Sequence, residues 1–184
     1  MSWFDTRIAA RFLAVAVLAA LTAGCFQPMY AERGPNGDSA LRDKLQGVEV
    51  PELNIPKGSR EARLGVEIRN SLMFSMYGSA VGGPPTHRLV RRISTKQMSV
   101  IVDPTTARPD IENYGIDATY ELKDNATDKT VLTGTTFSRV SYDIPGQAQR
   151  FARSRGLRDA EDRAAKVIAD NISQRLASFF IAGT

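Results

Sequence analysis

The sequence predicts an α+β fold, in which two helices pack on one face of an antiparallel sheet of about four strands. Three observations predict this two-layer sandwich. Leu64, Ile68 and Leu72 recur every four residues, as on the buried face of a helix. From Tyr114 to Leu122 apolar and polar residues alternate instead, as in a strand with one buried face. A second helical stripe closes the chain, and such faces are buried by packing in two layers.

The first half of the chain predicts one strand and one helix. Residues 47–51 form a short run of alternating residues that favours a strand. Ser59 has the chemistry of a helix N-cap, and Glu61 would lie in the first turn. We expect this helix to run to about Met76, with Gly78 just past its end.

The second half predicts three strands and the final helix, which completes the order β-α-β-β-β-α. The first strand runs from His87 to Val102, and the turn over residues 124–128 joins the other two. The final helix extends from roughly Leu157 to Phe180. Its apolar stripe consists of Ala164, Ile168, Ile172, Leu176 and Phe179. On its outer face we expect two ion pairs, Asp159/Arg163 and Asp162/Lys166.

Length and composition favour one domain without catalytic chemistry. The chain has 184 residues, 42% of them hydrophobic, and 24 Lys and Arg against 20 Asp and Glu. This modest positive charge suits contact with anionic lipid, and equally an ordinary basic protein. One cysteine excludes an internal disulfide, and one histidine, His87, argues against metal and triad sites. We therefore expect no enzyme activity, no metal and no cofactor.

The N-terminus has the organisation of an export signal. Arg7 and Arg11 precede an uncharged apolar run over residues 12–21, which is too short to span a bilayer core of about 30 Å. Small residues then lead to Cys25. Residues 21–25 resemble a bacterial lipobox, although Leu21 lies four positions before the cysteine instead of three. The alternative is an ordinary secretory signal that ends by chance at a cysteine.

These features divide the chain into three parts. We predict a lipoprotein signal peptide over residues 1–24, a lipidated Cys25 with a tether over 25–45, and a single α+β domain over 46–184. Stable anchoring needs more than one acyl chain. Phe26 follows the cysteine, where an Asp would resemble an inner-membrane retention signal. By that resemblance, the protein is expected at the outer membrane, facing the periplasm.

Two basic groups are candidates for binding an anionic glycolipid. Arginine binds phosphate with two parallel hydrogen bonds, and the expected compartment excludes nucleic acid as the partner. The alternative for each group is a solvated edge, where Lys and Arg discourage aggregation. The first group lies along one strand and the second at the start of the last helix: Arg88, Arg91, Arg92 and Lys96, then Arg150, Arg153, Arg155 and Arg158.

The order of helices and strands along nearly the whole chain resembles that of the LptE family of lipopolysaccharide-assembly lipoproteins, in an alphaproteobacterial form. The residues that carry the resemblance are Gly24 to Tyr30 after the signal, Ile55-Pro56 before Glu67 to Leu72, the strand with Arg88-Leu89, and Arg175 to Phe180 at the end of the last helix.

The resemblance implies a partner and a place of action. Members of this family are expected to plug the lumen of an outer-membrane β-barrel translocon of the LptD type, to help it fold and to bind lipopolysaccharide. A rival interpretation is a periplasmic lipoprotein auxiliary of an ABC-type lipid transporter, which needs no barrel. A third, a lipid-anchored hydrolase, would require a nucleophile and base that the sequence does not offer.

Overall fold

The computed structural model describes residues 41–78, 82–103, 108–144 and 150–182. The predicted signal peptide, Cys25 and the tether up to residue 40 lie outside these residues. The described elements, in chain order, are α1 (Leu41–Gln46), β1 (Val48–Glu49), α2 (Arg60–Tyr77), β2 (His87–Asp103), β3 (Arg108–Asp124), β4 (Thr130–Asp143) and α3 (Arg150–Ala182).

The four strands form one sheet in the order β1-β2-β3-β4, which confirms the predicted fold class. The pairs β2–β3 and β3–β4 are antiparallel, as predicted. Strand β1 runs parallel to β2, with Val48 opposite His87, so that the sheet is mixed. The reason is the connection: the chain leaves β1, passes through α2 and re-enters the sheet in the same direction, as in a strand–helix–strand crossover.

The core lies between the sheet and the two long helices. Helix α2 packs against β2 and α3, and α3 also packs against β3 and β4. Alternate residues of β3, from Tyr114 to Leu122, are at most 5% exposed, as the alternating pattern predicts. Helix α3 contributes small buried residues next to its larger ones, which lets the three elements approach closely. These residues are Ala160, Ala164, Ala165, Ala169 and Ala177.

Both ends of α2 are capped as the sequence predicts. The Ala62 backbone N–H donates to the Ser59 hydroxyl oxygen at 3.1 Å. At the other end, Gly78 takes the left-handed conformation, with φ of 70°, and its N–H donates to the Phe74 carbonyl oxygen at 2.9 Å. Glycine adopts this conformation without steric cost, so the helix stops where the sequence indicates.

Two parts of the predicted outline change. Residues 41–46, of which 41–45 are predicted as the end of the tether, form the helix α1, because Leu41 and Leu45 lie on one helical face and are both buried. Helix α3 begins at Arg150 instead of near Leu157, and Gly156 does not interrupt it. Neither change alters the two-layer architecture.

A hydrogen-bonded group centred on the buried Tyr142 joins β2, β3 and β4 at one end of the sheet. The Tyr142 hydroxyl donates to a carboxylate oxygen of Glu112 on the neighbouring strand, and Gln97 Nε2 donates to the Tyr142 oxygen at 3.2 Å. Burial, and then the hydrogen bond to Glu112, raise the pKa of Tyr142 to about 12. The protonated phenol is therefore the form that the folded protein stabilises.

No helix in the described part of the chain is both long enough and apolar enough to cross a membrane.

Shortening Ile168 is expected to weaken the core. Ile168 is fully buried, and Ile168→Ala should lower the free energy of unfolding by about 2–5 kcal/mol through lost apolar contact and a residual cavity. Val167, the next residue of the same helix, is 42% exposed, and Val167→Ala should change stability by less than about 0.5 kcal/mol. Urea unfolding of both variants measures the difference, and equal losses would contradict this account of the core.

Stability is expected to fall at high pH through Tyr142. Its pKa is about 12 in the folded protein and 10.0 in the unfolded chain. Its contribution is therefore complete below pH 10.0 and is lost as the pH rises towards about 12. Urea unfolding across this range should show a shallower decline for Tyr142→Phe than for the unchanged protein. Identical declines would show that Tyr142 does not titrate in this way.

Candidate ligand-binding surfaces

The first basic group divides between the two faces of β2. Successive residues of a strand point to opposite faces. Arg88, Arg92 and Lys96 therefore lie on the face that the helices leave uncovered, and all three are exposed. Arg91 lies on the opposite, core-facing side and is 5% exposed. The structure thus brings three of the four predicted residues together on one surface.

Arg91 connects the sheet to the segment that follows β1. Its Nη2 donates to the Pro51 carbonyl oxygen at 2.7 Å, beside Arg69, whose Nε donates to the Val50 carbonyl oxygen at 2.8 Å. Burial, and then repulsion from Arg69, lower the pKa of Arg91 to about 10. Its position and bonds make Arg91 a residue that holds the chain in place, and it does not reach the uncovered face.

Carboxylates partly neutralise the uncovered face. Arg88 Nε lies 3.1 Å from a Glu49 oxygen, and Lys96 Nζ lies 3.7 Å from Asp117. Asp117 also accepts a hydrogen bond from Arg139 at 2.5 Å, and chiefly for this reason its pKa lies below the ordinary value. The carboxylates that orient Arg88 and Lys96 remain open to water. An anion could therefore replace these ion pairs at small cost in free energy.

The second basic group is also divided. Arg150 is the first residue of α3, and its side chain lies outside the described part. Arg153 Nη2 lies 3.4 Å from Glu112 Oε1 and extends the Tyr142 group towards the surface. Arg155 and Arg158 line a groove on the helical layer, where both are exposed. Arg153 thus lies beside Glu112, whereas Arg155 and Arg158 lie on the groove.

This groove lies between the loop before α2, the first turns of α2 and the start of α3. Its volume is about 1260 Å³. One wall is apolar, with Leu53, Ile55 and Val66. Leu53 approaches the helix closely at Gly65, where a Cβ atom would lie 2.6 Å from Leu53 Cδ1. Its charged lining consists of Glu52 and Glu161 together with six cations, Lys57, Arg60, Arg63, Arg69, Arg155 and Arg158.

Glu161 fixes two of these cations at the base of the groove. Its side chain is 5% exposed, and Arg60 Nε lies 3.3 Å from its Oε1. Arg63 donates one hydrogen bond to Glu161 and another, of 2.8 Å, to Asp162. These bonds join α2 to α3. Asp162, predicted to pair with Lys166 on the outer face, is therefore bonded to Arg63 between the helices.

The sequence predicts two of the cations of this groove, Arg155 and Arg158, but not the groove itself. Arg60 and Arg63 are three residues apart and so lie on one face of α2, which is a signal that the sequence contains. Their nearness to Arg155 and Arg158 depends on how the two helices pack, which no local pattern reveals. Among the described residues, no group of three or more His, Cys, Asp or Glu could hold a metal ion.

Three solved structures have the same fold. A lipoprotein from Caulobacter crescentus is 19% identical, with a TM-score of 0.61 over 78% of this chain and 97% of that one. The rare lipoprotein B from Shewanella oneidensis is 15% identical, with a TM-score of 0.51 over 74% and 96%. A minor lipoprotein from Acinetobacter baumannii is 10% identical, with a TM-score of 0.51 over 71% and 88%.

Among curated proteins, no sequence matches this chain significantly. The family model described as LptE, lipopolysaccharide-assembly, matches residues 38–176, which include every described strand and most of α3. This match confirms the resemblance found in the sequence, and the three structural neighbours agree with it in fold. The chain belongs to the LptE family of lipopolysaccharide-assembly lipoproteins, a family without enzymatic activity.

Proposed function

We propose that this protein is the plug and folding partner of an outer-membrane β-barrel lipopolysaccharide translocon of the LptD type. In this role it is anchored through lipid on Cys25, lies on the periplasmic side or inside the barrel lumen, and binds lipopolysaccharide. The observation that carries the proposal is the family match over residues 38–176, since lipopolysaccharide assembly is the function for which that family is described.

The dimensions of the domain support a plug. At about 1.5 Å per residue, the 33 residues of α3 extend for about 50 Å. Strands β2 and β3, with 17 residues each, reach about 55 Å at about 3.3 Å per residue. These lengths exceed the hydrocarbon thickness of a bilayer, about 30 Å. Such a domain can fill the lumen of a large barrel over its whole height, and barrel diameter grows with strand number.

The chemistry of the uncovered sheet face also supports this role. The inner wall of a large membrane barrel is polar, so a plug should present polar side chains to it. On the uncovered face, many of the strand positions that alternate with the buried ones carry short hydroxyl and amide side chains, beside the exposed Met98 and Phe137. The hydroxyl and amide residues include Ser94, Asn113, Thr119, Thr133, Thr135 and Ser141. These side chains can exchange hydrogen bonds between water and a polar wall.

The cations on the same face suit the phosphates of lipopolysaccharide. Arg88, Arg92 and Lys96 occur at every fourth residue of one strand, and so they form a row along it. Guanidinium groups bind phosphate through paired, charge-assisted hydrogen bonds. A row of cations on a rigid strand can therefore contact more than one phosphate of the same molecule.

Purification of the tagged full-length protein from outer membranes in mild detergent tests the partnership. We expect a large β-barrel protein in about equal amount, because a plug must remain in its barrel. Mass spectrometry identifies the proteins that follow it. An inner-membrane transporter set without a barrel would contradict the plug and favour the ABC-type auxiliary.

Charge reversal tests the cation row. The double variant Arg88→Glu, Arg92→Glu should carry several-fold less lipopolysaccharide after purification, since two charge-assisted contacts become repulsive. Lys166→Glu with Arg175→Glu is the matched control, because it makes the same charge change at exposed residues of α3. Equal lipopolysaccharide on all three proteins would rule the row out as a binding site. Arg91 is left unchanged, since a buried carboxylate there would disturb folding.

A further inference from the structure

We infer that the open edge of β4 is a strand-binding site, on which an unpaired strand of the translocon barrel pairs before the barrel closes. The sheet order leaves β4 at one end, and in the part of the chain that the structure describes no strand pairs with its outer side. The inference rests on the proposed function, since that function supplies a barrel to be folded. It assigns the assistance in folding to one edge of the sheet.

Backbone groups of β4 point outward at every second residue. Arg139 Nη1 donates to two carbonyl oxygens, that of Ile116 at 3.2 Å and that of Ser138 at 2.9 Å. Both oxygens therefore lie between β3 and β4, so these two opposing residues exchange their hydrogen bonds. Because such pairs alternate with non-hydrogen-bonded ones, the intervening residues of β4 turn N–H and C=O to the open edge. They are Thr133, Thr135, Phe137, Arg139 and Ser141.

The two open edges of the sheet differ in their protection. Strand β1 has only two residues, so most of the edge of β2 is open as well. That strand carries Arg91, Arg92 and Lys96, and cations of this kind discourage the addition of another strand. Strand β4 has neither Lys nor Pro, is uncharged over residues 130–138, and keeps a regular register with β3 over residues 132–143. Of the two edges, the β4 edge is the one suited to accept a strand.

Helix α3 lines the same edge on the covered side of the sheet. Arg163 Nη2 lies 3.5 Å from the Ser141 carbonyl oxygen, and Asn171 Nδ2 donates to Thr136 Oγ1 at 3.0 Å. Residues spaced by four share one face of a helix, so Val167, midway between Arg163 and Asn171, faces this edge as well. Val167 is 42% exposed, and a strand added to β4 would cover it.

The surroundings of the edge favour a strand with one apolar and one polar side. Towards α3 the added strand would meet Val167, and on the uncovered side it would continue a surface that holds Thr133, Thr135 and the exposed Phe137. Strands of membrane barrels alternate in this way over about ten residues. A closed barrel has no free edge, so only the unclosed barrel can pair with β4. Closure then transfers the strand to its barrel neighbours.

Titration of the full-length protein in detergent with a synthetic strand tests the edge. The probe is a peptide of about ten alternating Val and Thr residues, with lysines at both ends for solubility. Thr135→Pro should weaken binding at least about tenfold, because proline removes an outward N–H and its ring obstructs the added strand. The ladder with β3 should persist without this N–H, which circular dichroism checks. Thr135→Val keeps the N–H and should bind like the unchanged protein.

A second variant leaves the strand itself intact. Val167→Lys places a charge against the apolar side of the peptide and should weaken binding several-fold, while its exposed position should preserve the helix. Equal binding of the peptide by the Thr135→Pro, Val167→Lys and unchanged proteins would overturn the edge as a binding site. Light scattering that finds dimers of the unchanged protein and monomers of Thr135→Pro would overturn the assigned partner, because the edge would then take a second copy of this chain.

The rate of barrel assembly in cells tests the partner. Pulse-labelled barrel protein should acquire protease resistance several-fold more slowly with Thr135→Pro than with Thr135→Val, because the unclosed barrel loses the edge on which it pairs. Both variants should co-purify with the finished barrel in equal amount. Equal rates would show that β4 does not assist folding. A barrel that is absent from the purification would instead contradict the proposed function, so the two failures are distinguishable.

Discussion

The structure depends on one constraint: helices cover only one face of the sheet. Every strand residue therefore belongs either to a dry surface beneath α2 and α3 or to a surface that remains wet. Arg91 and Arg92 are neighbours in sequence and have the same side chain, yet one is buried beside Pro51 and the other is exposed. The sheet thus separates residues that hold the fold together from residues available to a partner.

The helical layer has its own polar centre. Glu161 is buried between α2 and α3 and joins them through Arg60 and Arg63. A buried carboxylate is tolerated only with close partners, so the cations are fixed in place before any ligand arrives. A site whose charges are already positioned loses less side-chain freedom on binding than one built from mobile lysines.

Much of the fold follows from local patterns, while the surfaces for ligands do not. The caps of α2, the alternation in β3 and the turn before β4 are properties of adjacent residues, and the sequence predicts them. The parallel direction of β1 and the bond from Asp162 to Arg63 depend on how distant elements meet. The sequence predicts the cations of the row together with Arg91. Arg91 points to the buried face instead, because successive residues of a strand point to opposite faces. The groove required the packing of α2 on α3, which no single segment encodes.

The order in which the strands and α3 follow one another in the chain has a consequence for biogenesis. Strands β2, β3 and β4 pair with one another through short connections, so this meander has low contact order and can form early. Its inner face, with Tyr114, Ile116 and Leu122, is covered by a helix that is synthesised only after all three strands. Until then this face is open to aggregation, and a holding chaperone that binds apolar strands would protect it.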